Sequence, residues 1–458
     1  MRPALSKPVS ALLLLLGFSA FLVLTLQIRA GQRGSTAAPP AGGQQPAAPQ
    51  GGQAGRGAGG GGGRGATVFG DGPWDLGEGP NRMHVTVVTK GLDHPWGMQF
   101  LPNGDMLITE RAGRLRVVRK GVLDPTPISG MPQIRALSLG GLMDIALHPR
   151  FAENRLIYFA YSKPGTDAIG ISTAETDGFE ADPAKATLAV GRARWDGGPS
   201  ITDFKDIFLA QPYYGGGRGT AQPQRCCGQG PADASYGSRL AFDKAGYLYV
   251  TSGDRNYGEQ SQNPASDIGK IIRIKDDGTI PTDNPFIGKA GYRPELYSIG
   301  HRNPLGLTFH PVTGELWSSE FGPMGGDEVN RIQAGKNYGW ILITNGTHYN
   351  SEPNKLGKNG IPGYEDPVLF WVPSINPGNL IFYNGDKFPA WKGNLLMGTM
   401  TRSLLRETFD AQGKPTSQER LLTELGQRFR DVREGPDGFV YLLTDETAGA
   451  VLKIEPGK

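Results

Sequence analysis

The sequence predicts an all-β domain over residues 74–458, built as a six-bladed β-propeller of four-stranded antiparallel blades. Three observations point there. Glycine (69) and proline (36) are abundant among the 458 residues. No long amphipathic helical pattern runs through the C-terminal part, a profile that helix-rich domains do not have. Short apolar runs recur between Gly, Asn, Asp and Pro turns at irregular intervals of about 50–80 residues, which fits blades of about 60 residues with variable loops.

Each element follows from its local pattern. Residues 1–30 begin with Arg2 and Lys7 and continue into an apolar run over 11–28. This is the pattern of a signal peptide or an N-terminal membrane anchor. Residues 31–73 are mostly Gly, Ala, Pro and Gln. Such a stretch buries too little apolar area to offset its ordering entropy, so it reads as a disordered low-complexity linker. From Trp74 onward, five turn-then-strand units share one form. Asn103-Gly104-Asp105 leads into Met106-Leu107-Ile108, and Ala245-Gly246 into Tyr247-Leu248-Tyr249-Val250. Gly314-Glu315 leads into Leu316-Trp317, Gly393-Asn394 into Leu395-Leu396-Met397, and Asp437-Gly438 into Phe439-Val440-Tyr441-Leu442. A glycine-bearing turn followed by β-formers marks a strand entered through a tight turn. A pair of β-sandwiches is the competing architecture, which periodicity alone does not separate.

Charge and cysteine content narrow the function. The net charge of +3 gives no electrostatic footing for nucleic acid. The export pattern places the body outside the cytoplasm, periplasmic or extracellular, either secreted or tethered to a membrane by its N-terminus. The two cysteines, Cys226 and Cys227, are adjacent and cannot staple distant parts of the chain. In an oxidising compartment they can close a vicinal disulfide. A loop pair with no catalytic part is the competing reading.

In a propeller, strand ends converge on one face around a central channel, so polar residues at those ends are the site candidates. Two arginine clusters stand out, His301-Arg302-Asn303-Pro304 and Arg428-Phe429-Arg430-Asp431. Period-two alternation puts Arg428 and Arg430 on one side of a strand, where two guanidinium forks can hold two carboxylates. Salt bridges to Asp431 or Glu434 are the alternative use. A third segment, Glu320-Phe321-Gly322-Pro323-Met324-Gly325-Gly326-Asp327-Glu328, wraps acids, glycines and a proline around a sharp loop. Freed backbone carbonyls with one or two carboxylates suit a hard cation such as calcium. A glycine-rich blade connector with acid caps has the same composition.

Further segments run in order along nearly the whole body: Leu92-Asp93-His94-Pro95-Trp96-Gly97, Gly140-Gly141-Leu142-Met143-Asp144, and Gly300-His301-Arg302-Asn303-Pro304. The Gly322-Pro323 loop, Asn337-Tyr338-Gly339-Trp340 and Arg428-Phe429-Arg430-Asp431-Val432 follow. Together they resemble the glucose/sorbosone dehydrogenase family, whose soluble aldose sugar dehydrogenases use pyrroloquinoline quinone (PQQ). The resemblance implies a six-bladed propeller with PQQ flat on its top face. A sugar or other alcohol would be oxidised by hydride transfer to the quinone, and an external acceptor would take the electrons. It implies that Arg428 and Arg430 hold cofactor carboxylates, that Arg302 and Asn303 lie near the quinone, and that Trp371 and Ser374 approach the cofactor, although Trp371 equally fits a core position. It also implies calcium on the Gly322 and Pro323 carbonyls, and a second calcium on Glu328 and the Tyr338 carbonyl.

The sequence departs from the family pattern at three positions. The family's base histidine, four residues before an Arg-Leu, is here Ser235, ahead of Arg239-Leu240. A glutamine before Gly-Gly-Leu is here Leu139, and a PQQ-binding lysine is here Thr401. A serine hydroxyl does not take a proton near neutral pH without a partner base. Asp233 is the nearest acid along the chain, Tyr236 a second candidate with a high intrinsic pKa, and His301 a third. His148 reads as a structural turn histidine. Three functions therefore compete: a PQQ- and calcium-dependent oxidoreductase, a propeller that binds a ligand or partner without turnover, and a calcium-dependent propeller hydrolase. The last would need acidic metal ligands around the channel beyond the Glu320–Glu328 cluster.

Overall fold

The computed structural model describes residues 70–165, 186–211 and 234–458. The N-terminal segment, nearly all of the linker, Asp233 and the Cys226-Cys227 pair lie outside the described residues. The described strands form six antiparallel sheets, each led by one inner strand. The inner strands are Pro95–Phe100, Leu142–Leu147, Gly237–Phe242, Asn303–Phe309, Pro377–Phe382 and Phe429–Glu434, of blades 1 to 6 in turn. Each packs against the next, and blade 6 against blade 1, so the ring closes. This is the predicted six-bladed propeller.

All five glycine-turn units land at one structural position. They enter Met106–Glu110, Leu248–Ser252, Leu316–Phe321, Leu395–Thr399 and Val440–Thr444, the second strands of blades 1, 3, 4, 5 and 6. Blade 2 replaces the tight turn with a short helix, Phe151–Asn154, which ends at a left-handed Arg155 (φ +57°). His148 accepts hydrogen bonds from the Arg150 N–H (2.9 Å) and the Asn154 side chain (2.8 Å), so it is the expected turn histidine.

The second strands are buried on both faces, because each sheet is sandwiched between two others. The core is accordingly six wedges between blades rather than one central mass. Leu107 and Val117 meet Ile145 and Phe159 between blades 1 and 2, and Leu188 and Tyr158 meet Val250 and Ile272 between blades 2 and 3. The remaining wedges repeat the pattern. A fully buried Leu, Ile or Val side chain contributes about 1.5–3 kcal/mol, so the wedges hold the ring by apolar burial. Met83–Leu92 pairs with Gly449–Pro456 and completes blade 6 with strands from both parts of the chain. Blade 6 gains a fifth strand, Trp74–Leu76, because Trp74 and Leu76 pack onto the wedge between blades 5 and 6.

Candidate active site

Every inner strand shifts register against its second strand near its N-terminal end. The shifts fall at Pro95/Gly97, Leu142/Ile145, Gly237/Leu240, Pro304/Gly306, Pro377/Leu380 and Phe429/Asp431. A bulge breaks the in-out alternation and re-aims a side chain. The residues within these shifts include Trp96, Met143, Asp144, Arg239, Leu305, Asn379 and Arg430. They divide into two sets, one closing the channel and one lining a cavity above it.

The channel is closed by charge. Arg239, fully buried, pairs with Asp144 at 3.1 Å and Asp431 at 3.5 Å. Its other donors reach the carbonyls of Leu305 (2.7 Å) and Arg430 (2.9 Å). Arg433 bridges the same acids at 3.3 and 3.1 Å. The Asn379 amide and the Met98 N–H each donate to Asp431 at 2.8 Å. Residues of all six blades therefore meet on the axis. Burying such charges is tolerable only because nearly every donor and lone pair is used.

Above this plug lies a cavity of about 210 Å³. Its floor is apolar: Trp96, Met143 and Leu305, with Phe321 on one side. Arg239 stacks 4.2 Å beneath the Trp96 ring. Arg111, Arg428, Arg430, Asn303 and Asn376 supply polar walls, Ser235 and Tyr236 a further edge, and Leu139 and Met400 complete the lining. A larger groove of about 760 Å³ opens at the opposite strand ends, beside Tyr249, Tyr297 and Phe309. Two of its charged side chains, Glu315 and Arg331, pair at 3.3 Å.

Arg428 and Arg430 both line the cavity, as alternation predicts, but their acid partners differ from those expected. Asp431 belongs to the axial plug. Asp445 instead takes Arg430 by its carboxylate and Arg428 by its carbonyl, while Glu446 lies 3.3 Å from Arg428. The paired guanidiniums hold the buried Asp445 carboxyl well below its usual range, against the effect of burial. Arg430 still has a buried Nε with no partner among the described residues.

Asn303 accepts the Gly237 N–H at 3.0 Å through its amide oxygen, which leaves its amide hydrogens for the cavity. Ser235 sits in a left-handed turn (φ +52°), and its hydroxyl donates to Asn256 at 3.2 Å. Arg302 is turned aside: its guanidinium donates to the Phe321 carbonyl (3.2 Å) and lies 5.5 Å from the Trp340 ring centre. Trp371 is a core residue between blades 4 and 5, its indole bonded to Gln418. Thr401 donates to the Ile375 carbonyl at 3.0 Å, so Met400 is the residue of that turn on the cavity wall. His301 is fully buried, with Ser298 on one ring nitrogen (2.8 Å) and Glu320 near the other (3.3 Å), and it is closed to the cavity.

The loop after Phe321 is fixed by Asp327, whose carboxylate accepts N–H groups of Gly322 (2.8 Å), Ile375 and Asn376 (both 2.7 Å). Ser374 reinforces this link by bonding Asp327 (3.1 Å) and the Gly325 N–H (3.1 Å). Ser374 thus supports the loop and does not line the cavity. Next to it, Glu320 and Glu328 face the side chain of Asn330, whose amide donates to both at 2.9 and 3.3 Å. Burial and neighbouring Glu320 push the Glu328 carboxyl well up. The Asn330 Oδ1 is buried without a partner among the described residues. His301 stacks on Tyr338 at 4.8 Å and so brings Tyr338 beside this acid pair. Among the described residues no three acidic, histidine or cysteine side chains gather as a metal site.

Comparison with known proteins agrees with this architecture. The glucose/sorbosone dehydrogenase family model matches residues 92–453. The chain belongs to the glucose/sorbosone dehydrogenase family. Aldose sugar dehydrogenase YliI of Escherichia coli is 40% identical over 380 residues, covering 82% of this chain and 94% of that protein. The apo-form crystal structure of the soluble aldose sugar dehydrogenase from Escherichia coli superposes with a TM-score of 0.71 at 39% identity, over 82% of this chain and 99% of that one. The PQQ-bound aldose sugar dehydrogenase from Streptomyces coelicolor gives 0.60 at 25% identity, over 81% and 98%. This glucose/sorbosone dehydrogenase family member thus has a fold in which PQQ has been captured in a relative.

Sequence reasoning did not single out the lining residues Trp96, Arg111 and Met400, or the buried Asp254. Arg111, Asp254 and Met400 each stand one or two residues after a second strand, the same place in three blades. Aligning the five turn units would have exposed that shared position.

Proposed function

We propose that this protein is a PQQ- and calcium-dependent oxidoreductase acting on a sugar or other alcohol outside the cytoplasm. The observation that carries the reading is the unpartnered, buried Nε of Arg430 at a cavity that also receives Arg428, Arg111 and the Asn303 amide. A planar polycarboxylate fits a flat apolar floor ringed by guanidiniums. The residues present also suit calcium. The orphaned Asn330 oxygen and the raised Glu328 carboxyl leave oxygen donors beside Glu320 that a hard cation would satisfy. Glu328 and the Tyr338 carbonyl would hold one ion, and the Gly322 and Pro323 carbonyls another. When bound, PQQ supplies the quinone that accepts a hydride, and calcium polarises it.

The chain's own residues do the rest. Arg428 and Arg430 bind carboxylates, with Asp445 fixing the direction of both forks. Asn303, oriented by the Gly237 N–H, donates where negative charge develops. Arg302 acts from behind, holding Phe321 through its carbonyl. Ser235, already donating to Asn256, keeps lone pairs with which to orient a substrate hydroxyl. No carboxylate or imidazole is among the described residues that line the cavity. Asp254, a buried carboxyl two residues after the second strand of blade 3, is pushed up to about 6 by burial and accepts from the Trp340 indole at 2.8 Å. This lack of a proton acceptor at the lining favours one second reading, a module that binds the cofactor without turnover. Arg430→Ala tests the cofactor role. It should weaken PQQ binding by about 1.5–3 kcal/mol, read by calorimetric titration of the full chain. Unchanged affinity would remove Arg430 from the site.

A further inference from the structure

Blade 3 leaves its second strand, Leu248–Ser252, through the corner Gly253-Asp254-Arg255-Asn256. Arg255 and Asn256 are both left-handed, at φ +53° and +59°. Two side-chain-bearing residues in a row rarely take that conformation, and such strain persists only where the surroundings over-determine it. Here they do. The Asp254 N–H donates to the Arg302 carbonyl (2.6 Å), the Arg255 N–H to the Ser235 carbonyl (3.1 Å) and the Gly253 N–H to the Tyr236 carbonyl (3.0 Å). The Asp254 carboxylate accepts the Asn256 N–H (2.9 Å) and the Trp340 indole (2.8 Å). A Cβ on Gly253 would lie 2.0 Å from the Ser235 carbonyl oxygen, so only glycine lets the corner press this closely.

The left-handed pair brings two side chains onto two residues of the cavity edge. The Arg255 guanidinium stacks 3.8 Å from the centre of the Tyr236 ring. The Asn256 side-chain oxygen accepts the Ser235 hydroxyl at 3.2 Å. Ser235 and Tyr236 both line the cavity. Ser235 is buried and itself left-handed, so its backbone is as constrained as its hydroxyl. A serine hydroxyl carries one donor and two accepting lone pairs. With its hydrogen committed to Asn256, Ser235 offers the cavity an acceptor. That polarity suits a sugar hydroxyl, which can donate. A serine free to rotate would present its own hydrogen part of the time and would have to be ordered when the sugar binds.

We propose that Asn256 is a positioning residue that acts through Ser235, fixing its hydroxyl as the acceptor for one hydroxyl of a sugar substrate. Arg255 completes the grip by holding the neighbouring Tyr236 ring. The proposal deepens the oxidoreductase reading and rests on it for turnover. The contact itself is a binding contact and moves no proton.

The test is a double-mutant cycle in the full chain with PQQ, calcium and D-glucose as the substrate. Asn256→Gly removes the accepting oxygen but suits a left-handed backbone, so the corner is kept. It and Ser235→Ala should each raise KM about five-fold, the scale of one neutral hydrogen bond. The value of kcat should hold, because the contact is made equally before and during hydride transfer. Combined, the two substitutions should raise KM no further than either alone. Asn256→Asp, which keeps an accepting oxygen, should lose less than Asn256→Gly. PQQ affinity, followed separately by absorbance, should not change in any variant. An unchanged KM in Asn256→Gly, or a Ser235→Ala effect that persists in full beside it, would overturn the proposal, as would a PQQ affinity that falls in step with KM. If the parent chain does not take up PQQ, the oxidoreductase reading fails, and the same cycle is read on D-glucose affinity by saturation-transfer NMR.

Discussion

At the scale of single residues, three of the buried polar atoms without a partner among the described residues are informative. The Arg430 Nε and the Asn330 Oδ1 sit where a cofactor and a cation are proposed. Glu407 is a third case with a different meaning. It is 2% exposed, its Oε2 has no partner among the described residues, and burial alone pushes its carboxyl up to about 8. A folded-state pKa raised above the unfolded value makes the neutral acid the favoured native form. Its contribution is complete below about pH 4.3 and is lost as pH rises toward 8. Glu407→Gln should therefore match the parent near pH 4 and exceed it by about 2–4 kcal/mol above pH 8, measured by urea unfolding across that range. Equal stability at both ends would mean that Glu407 is solvated. None of these atoms was legible in the sequence, because an orphaned donor is defined by what surrounds it. Arg428 and Arg430 were legible as a pair, but their partners Asp445 and Glu446 come from the next strand's end, which local spacing does not reveal.

At the scale of elements, the tight turns and second strands were legible, since a glycine turn followed by β-formers is a local signal. The bulges of the inner strands were not. They arise where strands converge on the axis and must present large side chains, Trp96, Arg239 and Arg430 among them, in a narrow space. In sequence Asp144 is only part of an ordered motif and Asp431 a possible partner of the arginine pair; they become an axial plug only when six blades meet. That crowding makes Gly378 a sharp probe. A Cβ at this inner-strand position would lie 2.6 Å from the Arg430 carbonyl, an atom already accepting from Arg239. Gly378→Ala should cost about 1–3 kcal/mol from overpacking and lower PQQ affinity with it, through displacement of Arg430. Thermal unfolding and cofactor titration of the same preparation would check both, and a stable variant with unchanged binding would show that the two strands part without disturbing the arginine.

At the scale of the molecule, the ring brings together groups separated by hundreds of residues, and the site exists only because it closes. Composition and recurrence were enough to foresee the propeller, and ordered motifs were enough to foresee its family. Of the candidate residues named from sequence, Asn303, Ser235 and the arginine pair line the cavity, while Arg302, Trp371 and Ser374 lie outside its lining. The central claim is that this closed ring presents a calcium-dependent PQQ site. The most direct measurement is titration of the purified chain with PQQ, with calcium and with a chelator, following cofactor absorbance and then dye reduction by a panel of alcohols and aldoses. The account predicts stoichiometric binding that requires calcium, followed by reduction with at least one alcohol of the panel. Absence of binding in saturating calcium would contradict it.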